Sequence, residues 1–177
     1  MQENKNIENI IKQRQITRLC HMTQINKVIA ILCSVNGILA TDLISKKLLF
    51  TNDKDRLDGR KDYISSSVQY PNVWYYRNKK ETNPSVKDWA IFIVDPLVCT
   101  KEDTLFCPIN AATSHGSYIK SGEKAFSSLF AENVGIRNRS RRMLACCPTN
   151  DQAEVLVHNS IPHEMIKGIV FEDEIVL

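Results

Sequence analysis

Three short stretches of this 177-residue chain carry polar chemistry at fixed spacing. The first is Arg18-Leu19-Cys20-His21-Met22-Thr23. On a strand, His21 and Thr23 share one face, and Arg18 and Cys20 share the other. The second runs from Asp55-Arg56-Leu57-Asp58-Gly59 to Asp62-Tyr63-Ile64-Ser65-Ser66-Ser67. Ser65 and Ser67 share a strand face, where two hydroxyls can fix a small polar ligand group. An arginine beside them can grip a phosphate through two parallel hydrogen bonds. The third is Gln152-Ala153-Glu154, at the mouth of the apolar run Val155-Leu156-Val157. A carboxylate there can stabilise a positive transition state or act as a general base. Taken singly, the first reads better as a core or surface histidine that caps the following helix and the third as a strand-edge glutamate in water, while the second is evenly balanced with a surface strand entered from a charged turn.

A fourth feature concerns charge. Ile136 to Met143 holds Arg137, Arg139, Arg141 and Arg142 with no acid, just before Gln152. Arginine pairs with phosphates and stacks on exposed bases, and Tyr70, Trp74, Tyr75 and Tyr76 supply aromatic faces earlier in the chain. A solvated basic loop with core aromatics is the plain alternative. The whole chain has 23 Lys+Arg against 20 Asp+Glu, a net charge of +3, so this segment alone exceeds the net charge. The C-terminal FEDEIVL carries three acids.

The elements that must position these residues follow from periodicity. Asn4 to Gln15 reads as a polar helix with Ile7, Ile10 and Ile11 on one side. Ile16 to Met22 reads as a strand. Ile25 to Cys33 has helical spacing through Ile25, Val28, Ile29 and Leu32, closed by Asn36-Gly37. Tyr63 to Gln69 is strand-like, ended by Pro71-Asn72. Trp89 to Val94 is a short β-branched and aromatic run stopped by Asp95-Pro96, as a buried strand would be. Ser121 to Glu132 predicts a helix with Ala125, Phe126, Leu129 and Phe130 in one stripe. Ala153 to His158 and Gly168 to Phe171 predict late strands, with a short helix over Ile161 to Lys167 between them. Helices and strands mix without regular βαβ alternation, which predicts an α+β fold.

Length and composition predict one globular domain over residues 1–177: hydrophobic residues are 43% and charged residues 24%. No apolar run reaches the roughly 18 residues of a membrane span. The polar start, Met1 to Asn9, does not read as a signal peptide. The six cysteines (Cys20, Cys33, Cys99, Cys107, Cys146, Cys147) include no C-x-x-C, so they read as reduced thiols of a cytoplasmic protein, with no metal site expected. No dinucleotide-binding glycine fingerprint, P-loop, zincin helix, zinc-deaminase signature or nucleophile elbow occurs.

Together, and in this order, the three patches resemble ADP-ribosyltransferases, and more closely the DarT family of DNA ADP-ribosyltransferase toxins. The carrying segments are Cys20-His21-Met22-Thr23 with its following helix, Arg56-Leu57-Asp58-Gly59 through Pro71-Asn72, and Asp151-Gln152-Ala153-Glu154-Val155-Leu156-Val157 continuing to Ile161-Pro162. The resemblance implies an α+β ADP-ribosyltransferase fold: a split, bent β-sandwich core with NAD in its cleft and flanking helices. It implies transfer of ADP-ribose from NAD, the co-substrate, to a base in single-stranded DNA.

Carried over residue by residue, His21 and Thr23 hold the nicotinamide half of NAD. Arg56 contacts the phosphates and is catalytic. Ser65 and Ser67 match the Ser-x-Ser of the wider superfamily. Glu154 is the essential glutamate, and Gln152 lies in the loop that meets the acceptor; read independently of the resemblance, Arg137, Arg139, Arg141 and Arg142 lead into that loop as substrate-binding residues. The resemblance also implies a macrodomain-type antitoxin and a role in a toxin–antitoxin or phage-defence pair. The chain departs from the thymidine-modifying pattern after Asp62-Tyr63, where Ile64-Ser65-Ser66-Ser67 replaces a Val-Pro-aromatic stretch. The same chemistry on single-stranded RNA, or a non-catalytic nucleic-acid-binding module, are the alternatives.

Overall fold

The computed structural model describes residues 2–44, 57–82 and 88–171. The chain opens with α1 (Gln2–Arg14), β1 (Leu19–Gln24), a 3₁₀ turn, α2 (Val28–Cys33) and β2 (Ile38–Leu39). It continues with β3 (Tyr63–Val68), α3 (Val73–Thr82), β4 (Trp89–Val94), β5 (Leu105–Cys107), β6 (Lys120–Ser121) and α4 (Gly122–Ser128). The last elements are β7 (Asn133–Val134), β8 (Arg137–Asn138), β9 (Glu154–His158), β10 (Ser160–Ile161) and β11 (Ile166–Phe171). Seven strands form one antiparallel sheet in the order β11-β4-β1-β3-β9-β5-β6. The pairs β2–β10 and β7–β8 stand outside it. This is the expected α+β class.

Each face of the sheet has its own work. Alternation sends Leu19, Phe92, Val94, Phe106 and Val155 to one side, where they pack with Ile7 and Ile11 of α1 and Phe126 of α4. Phe106, Phe126 and Phe130 form a ring chain with centroid spacings of 5.0 and 5.8 Å. Burying each such side chain is worth about 1.5–3 kcal/mol, so this face carries the stability. The other side holds a smaller cluster of Tyr63, Cys107, Ala111 and Leu156. That face is left for polar residues.

The predicted β3, β4 and β9 are found within a residue of their expected ends. Asp95 stops β4 as expected, its carboxylate accepting from the Leu97 N–H at 2.9 Å. Other expectations change. The helix over 121–132 ends at Ser128, and Leu129 and Phe130 reach the core from tighter i→i+3 turns instead. The helix over 161–167 is only a 3₁₀ turn, His163–Met165, because β11 claims Ile166 for pairing with β4. In α2 only Val28 is buried, while Ile29 and Leu32 are 75% and 49% exposed, so the predicted stripe does not face the core. Helix α3 and the two- and three-residue strands are absent from the sequence reading. Helix α3 is polar overall and buries no residue, so it has no core-facing stripe to detect.

Candidate functional site

The site begins where two strands part. β1 and β4 stay in register over six residues, and β3 and β9 over five. β1 and β3 pair only at Leu19–Val68 and Cys20–Ser67. Beyond Cys20 they diverge, and the sheet is forked. His21 spans the gap, its ring Nδ1 lying 2.9 Å from the Ser65 carbonyl oxygen. A carbonyl only accepts, so Nδ1 carries the proton in this bond. Thr23, two residues on, is buried at 2% exposure. The fork is the split that the resemblance led one to expect.

Glu154 sits across the fork. The register aligns Cys107, Glu154, Ser67 and Cys20 in one row across four strands, on the face away from α1 and α4. Ser65 lies two residues along the same face of β3, within diagonal reach. Its hydroxyl donates a hydrogen bond to Glu154 Oε2. The Ala111 N–H donates to the other oxygen, Oε1, at 2.8 Å. The carboxylate is therefore held at both oxygens, half-buried, with its orientation fixed. Ser67 instead turns its hydroxyl to the Cys20 carbonyl at 3.4 Å, across the base of the fork.

Gln152 is placed by the same loop. Its Oε1 accepts from Asn110 Nδ2 at 3.3 Å, and its own N–H donates to Asn150 Oδ1 at 2.9 Å. Asn110 Oδ1 in turn accepts from the Ala112 N–H at 2.9 Å, a local Asx turn. Sequence reasoning missed Asn110 and Ala111. The available signal was the strand ending Cys107-Pro108-Ile109-Asn110, a turn that returns the chain beside Glu154. Ser114 and His115, at φ 49° and 54°, then form a left-handed turn with Gly116 at φ 82°. Left-handed backbone at non-glycine residues is strained, and such strain gathers at functional sites.

A cavity of about 840 Å³ fills the fork, lined on one side by Cys20 to Thr23 and on the other by Tyr63 to Ser67, with Glu154 in its wall. That volume is in the range of small-molecule and cofactor sites. Ser66, paired with Val155 on the core side of the sheet, has a fully buried Oγ with no hydrogen-bond partner among the described residues. Lys27 also lines the cavity, and burial pushes its ammonium down to about 8. Gly37 is at φ +72°, and a Cβ there would meet the Ile161 carbonyl oxygen at 2.3 Å. Only glycine lets this cavity-lining turn lie against the β10 backbone. The opposite wall is α3, through Asn72, Trp74, Tyr75, Asn78 and Lys79.

The basic segment falls elsewhere. Arg56 lies outside the described residues. Arg137, Arg139, Arg141 and Arg142 do not line the cavity. Arg137 pairs with Val134 in the β7–β8 ribbon, and Arg141 and Arg142 are exposed. Arg139 donates to the carbonyls of Leu144 and Cys147, both at 2.8 Å, and of Ala145 at 3.3 Å. Arg14 at the end of α1 reaches Ala145 O at 3.2 Å and lies 4.3 Å over the Phe130 ring. Burial lowers the Arg14 pKa, and the neighbouring Arg139 charge lowers it further. These two arginines knit the 139–149 loop to α1. Among the described residues no group of His, Cys, Asp or Glu is arranged to hold a metal ion. None of the described helices is long and apolar enough to cross a membrane.

The geometry can be set beside known proteins. The profile of the DarT family, described as ssDNA thymidine ADP-ribosyltransferase, matches residues 20–176. Among solved structures the fold is similar to Thermosipho africanus DarTG in complex with ADP-ribose, with a TM-score of 0.53 and 18% sequence identity. The match covers 90% of this chain and 45% of that one, so the chain spans less than half of the protein it resembles. No curated protein matches the chain.

Proposed function

The chain belongs to the DarT family, and from that membership we propose that it transfers ADP-ribose from NAD to a base in single-stranded DNA. The observation that carries the reading is Glu154, fixed at both oxygens by Ser65 and Ala111 on one prong of a forked sheet. Cleavage of the nicotinamide bond leaves positive charge on the ribose, as in glycoside hydrolysis. A carboxylate already oriented toward that charge stabilises it without reorganising. His21 and Thr23 line the other prong and hold the departing nicotinamide side. Lys27 supplies a cation for the rest of the dinucleotide. Arg56 contacts its phosphates and assists the acceptor.

The acceptor nitrogen must reach the ribose carbon from the open side of the fork. A base stacked within a duplex is out of reach, so single-stranded DNA is the substrate. Gln152, tied to Asn110 beside Glu154, faces that acceptor. Thymidine is the base in the family's description, and the Ile64-Ser65-Ser66-Ser67 departure makes base choice the first thing to measure. We read residues 1–177 as one transferase domain of a cytoplasmic toxin, with a macrodomain-type antitoxin that removes the mark.

The test incubates the protein with NAD and, separately, single-stranded DNA, RNA of the same sequence, and duplex DNA. Oligonucleotides lacking one base each identify the acceptor. Mass spectrometry is expected to find one added ADP-ribose on single-stranded DNA only. Addition to RNA alone overturns the DNA reading. Binding without addition to any strand would instead identify a non-catalytic module.

A further inference from the structure

Helix α3 and the turn before it leave two aromatic rings half exposed, Trp74 on the helix and Tyr70 ahead of it. Asn72 caps it, its Oδ1 accepting from the Tyr75 N–H at 2.9 Å. The turn before it is held by Gln69, a non-glycine residue at φ 67°, only 7% exposed. Gln69 Oε1 accepts from the Thr17 N–H at 3.0 Å, and its carbonyl accepts from Arg18 Nε at 3.1 Å. This strained, well-bonded turn sets Tyr70 in the open at 50% exposure. Val73 and Trp74 follow at 52% and 53%. Cations accompany the rings: the Arg18 guanidinium is 5.9 Å from the Tyr70 ring centroid, and Lys80 is 4.9 Å from that of Tyr76. Arg77 is exposed between them.

Resting on the transferase reading above, we infer that the surface running from Tyr70 along the exposed face of α3 to Lys80 is a stacking surface that leads single-stranded DNA into the cavity. The occupant follows from continuity and charge. Trp74 belongs both to the cavity wall and to the exposed face, whereas Tyr70, Arg77 and Lys80 lie outside the cavity. A dinucleotide confined to the cavity does not reach Tyr70. A polymer with one base in the cavity does, and its flanking bases and phosphates need rings and cations in alternation. The arginine segment 137–142 lacks this continuity, and Arg139 is occupied within its own loop.

Fluorescence anisotropy of a labelled single-stranded 15-mer, titrated with protein in the absence of NAD, tests the assignment. Tyr70→Ala and Trp74→Ala are each expected to weaken binding at least about fivefold. Arg77→Ala with Lys80→Ala is expected to lower the slope of log affinity against log salt by about 1.4. A second measurement needs no substitution. The chain has two tryptophans, and Trp89 is 3% exposed against 53% for Trp74. Quenching of wild-type tryptophan emission by the unlabelled 15-mer therefore reports stacking on Trp74. Affinity within twofold of wild type in the Tyr70→Ala, Trp74→Ala pair, or no quenching at saturation, overturns the inference. Binding is read apart from turnover. A protein that binds through α3 without transferring defeats the transferase reading alone, and an active enzyme indifferent to α3 defeats this inference alone.

Discussion

Glu154→Gln removes one charge from the proposed site while keeping its shape. The amide has the same length, and its oxygen can accept from the Ala111 N–H as Oε1 does now at 2.8 Å. The Ser65 hydroxyl rotates to accept from the new NH₂ instead of donating. Neither partner is left unpaired, so the melting temperature is expected to stay within about 2 °C of wild type. The transition state loses a carboxylate close to a cationic ribose. At about 4 Å, and with the effective dielectric of a half-buried site, that attraction is about 4 kcal/mol. Turnover is then expected to fall about a thousandfold.

Ser65→Ala tests the same arrangement more gently. It deletes the donor to Oε2 and leaves the Ala111 N–H on Oε1. A hydrogen bond to a charged group is worth about 1.5–3 kcal/mol, and with one anchor retained the low end applies. That predicts about a tenfold loss in turnover. Both act through one carboxylate, so the double variant is expected to be no slower than Glu154→Gln alone. The assay is release of nicotinamide, with and without a saturating oligonucleotide. Wild-type turnover in a folded Glu154→Gln protein would falsify the site, and fully additive losses would separate Ser65 from Glu154.

Arg139→Ala is expected to destabilise the fold by about 1.5–3 kcal/mol, because it removes the charge-assisted hydrogen bonds to the Leu144 and Cys147 carbonyls, Leu144 O keeping the Cys147 N–H and Ala145 O keeping Arg14, with a melting temperature lower by about 3–12 °C in thermal unfolding. Weaker oligonucleotide binding at an unchanged melting temperature would make it a DNA contact instead. Lys27 titrates near 8 in the folded chain against 10.5 in the free side chain, because burial disfavours its charge. Between those values the unfolded chain binds more protons, so its contribution makes stability rise with pH across that window, the burial cost being fully felt below it. Lys27→Met is expected to flatten that rise in urea melts run from pH 7 to 10. Gly37→Ala forces a Cβ to within 2.3 Å of Ile161 O at a positive φ, and is expected to cost more than about 1 kcal/mol and to raise the KM for NAD. An unchanged KM would detach that turn from the cavity.

The sequence by itself determined the elements whose signals are local. Trp89–Val94 and Tyr63–Val68 are strands because β-branched and aromatic residues run between turn-forming neighbours, and those neighbours stop them where they should. Alternation alone put His21 with Thr23 and Ser65 with Ser67. The tertiary structure decided what those pairs face. Register places Glu154 in a row with Ser67, while the parting of β1 and β3 after Cys20 brings the His21 ring to the Ser65 carbonyl. No local signal announces that parting, because it depends on which strands pair and how far. The Ala111 N–H on Glu154 is a backbone group 43 residues away, and any residue but proline would supply it. Arg139 reads like its neighbours in the basic segment, yet folding turns it onto three carbonyls of its own loop. Helix α3 shows the same limit from the other side. In sequence its rings read either as base-stacking faces or as core aromatics, and only the structure shows Trp74 half exposed while it lines the cavity. Composition fixes which chemistry is available, whereas long-range pairing fixes which groups meet.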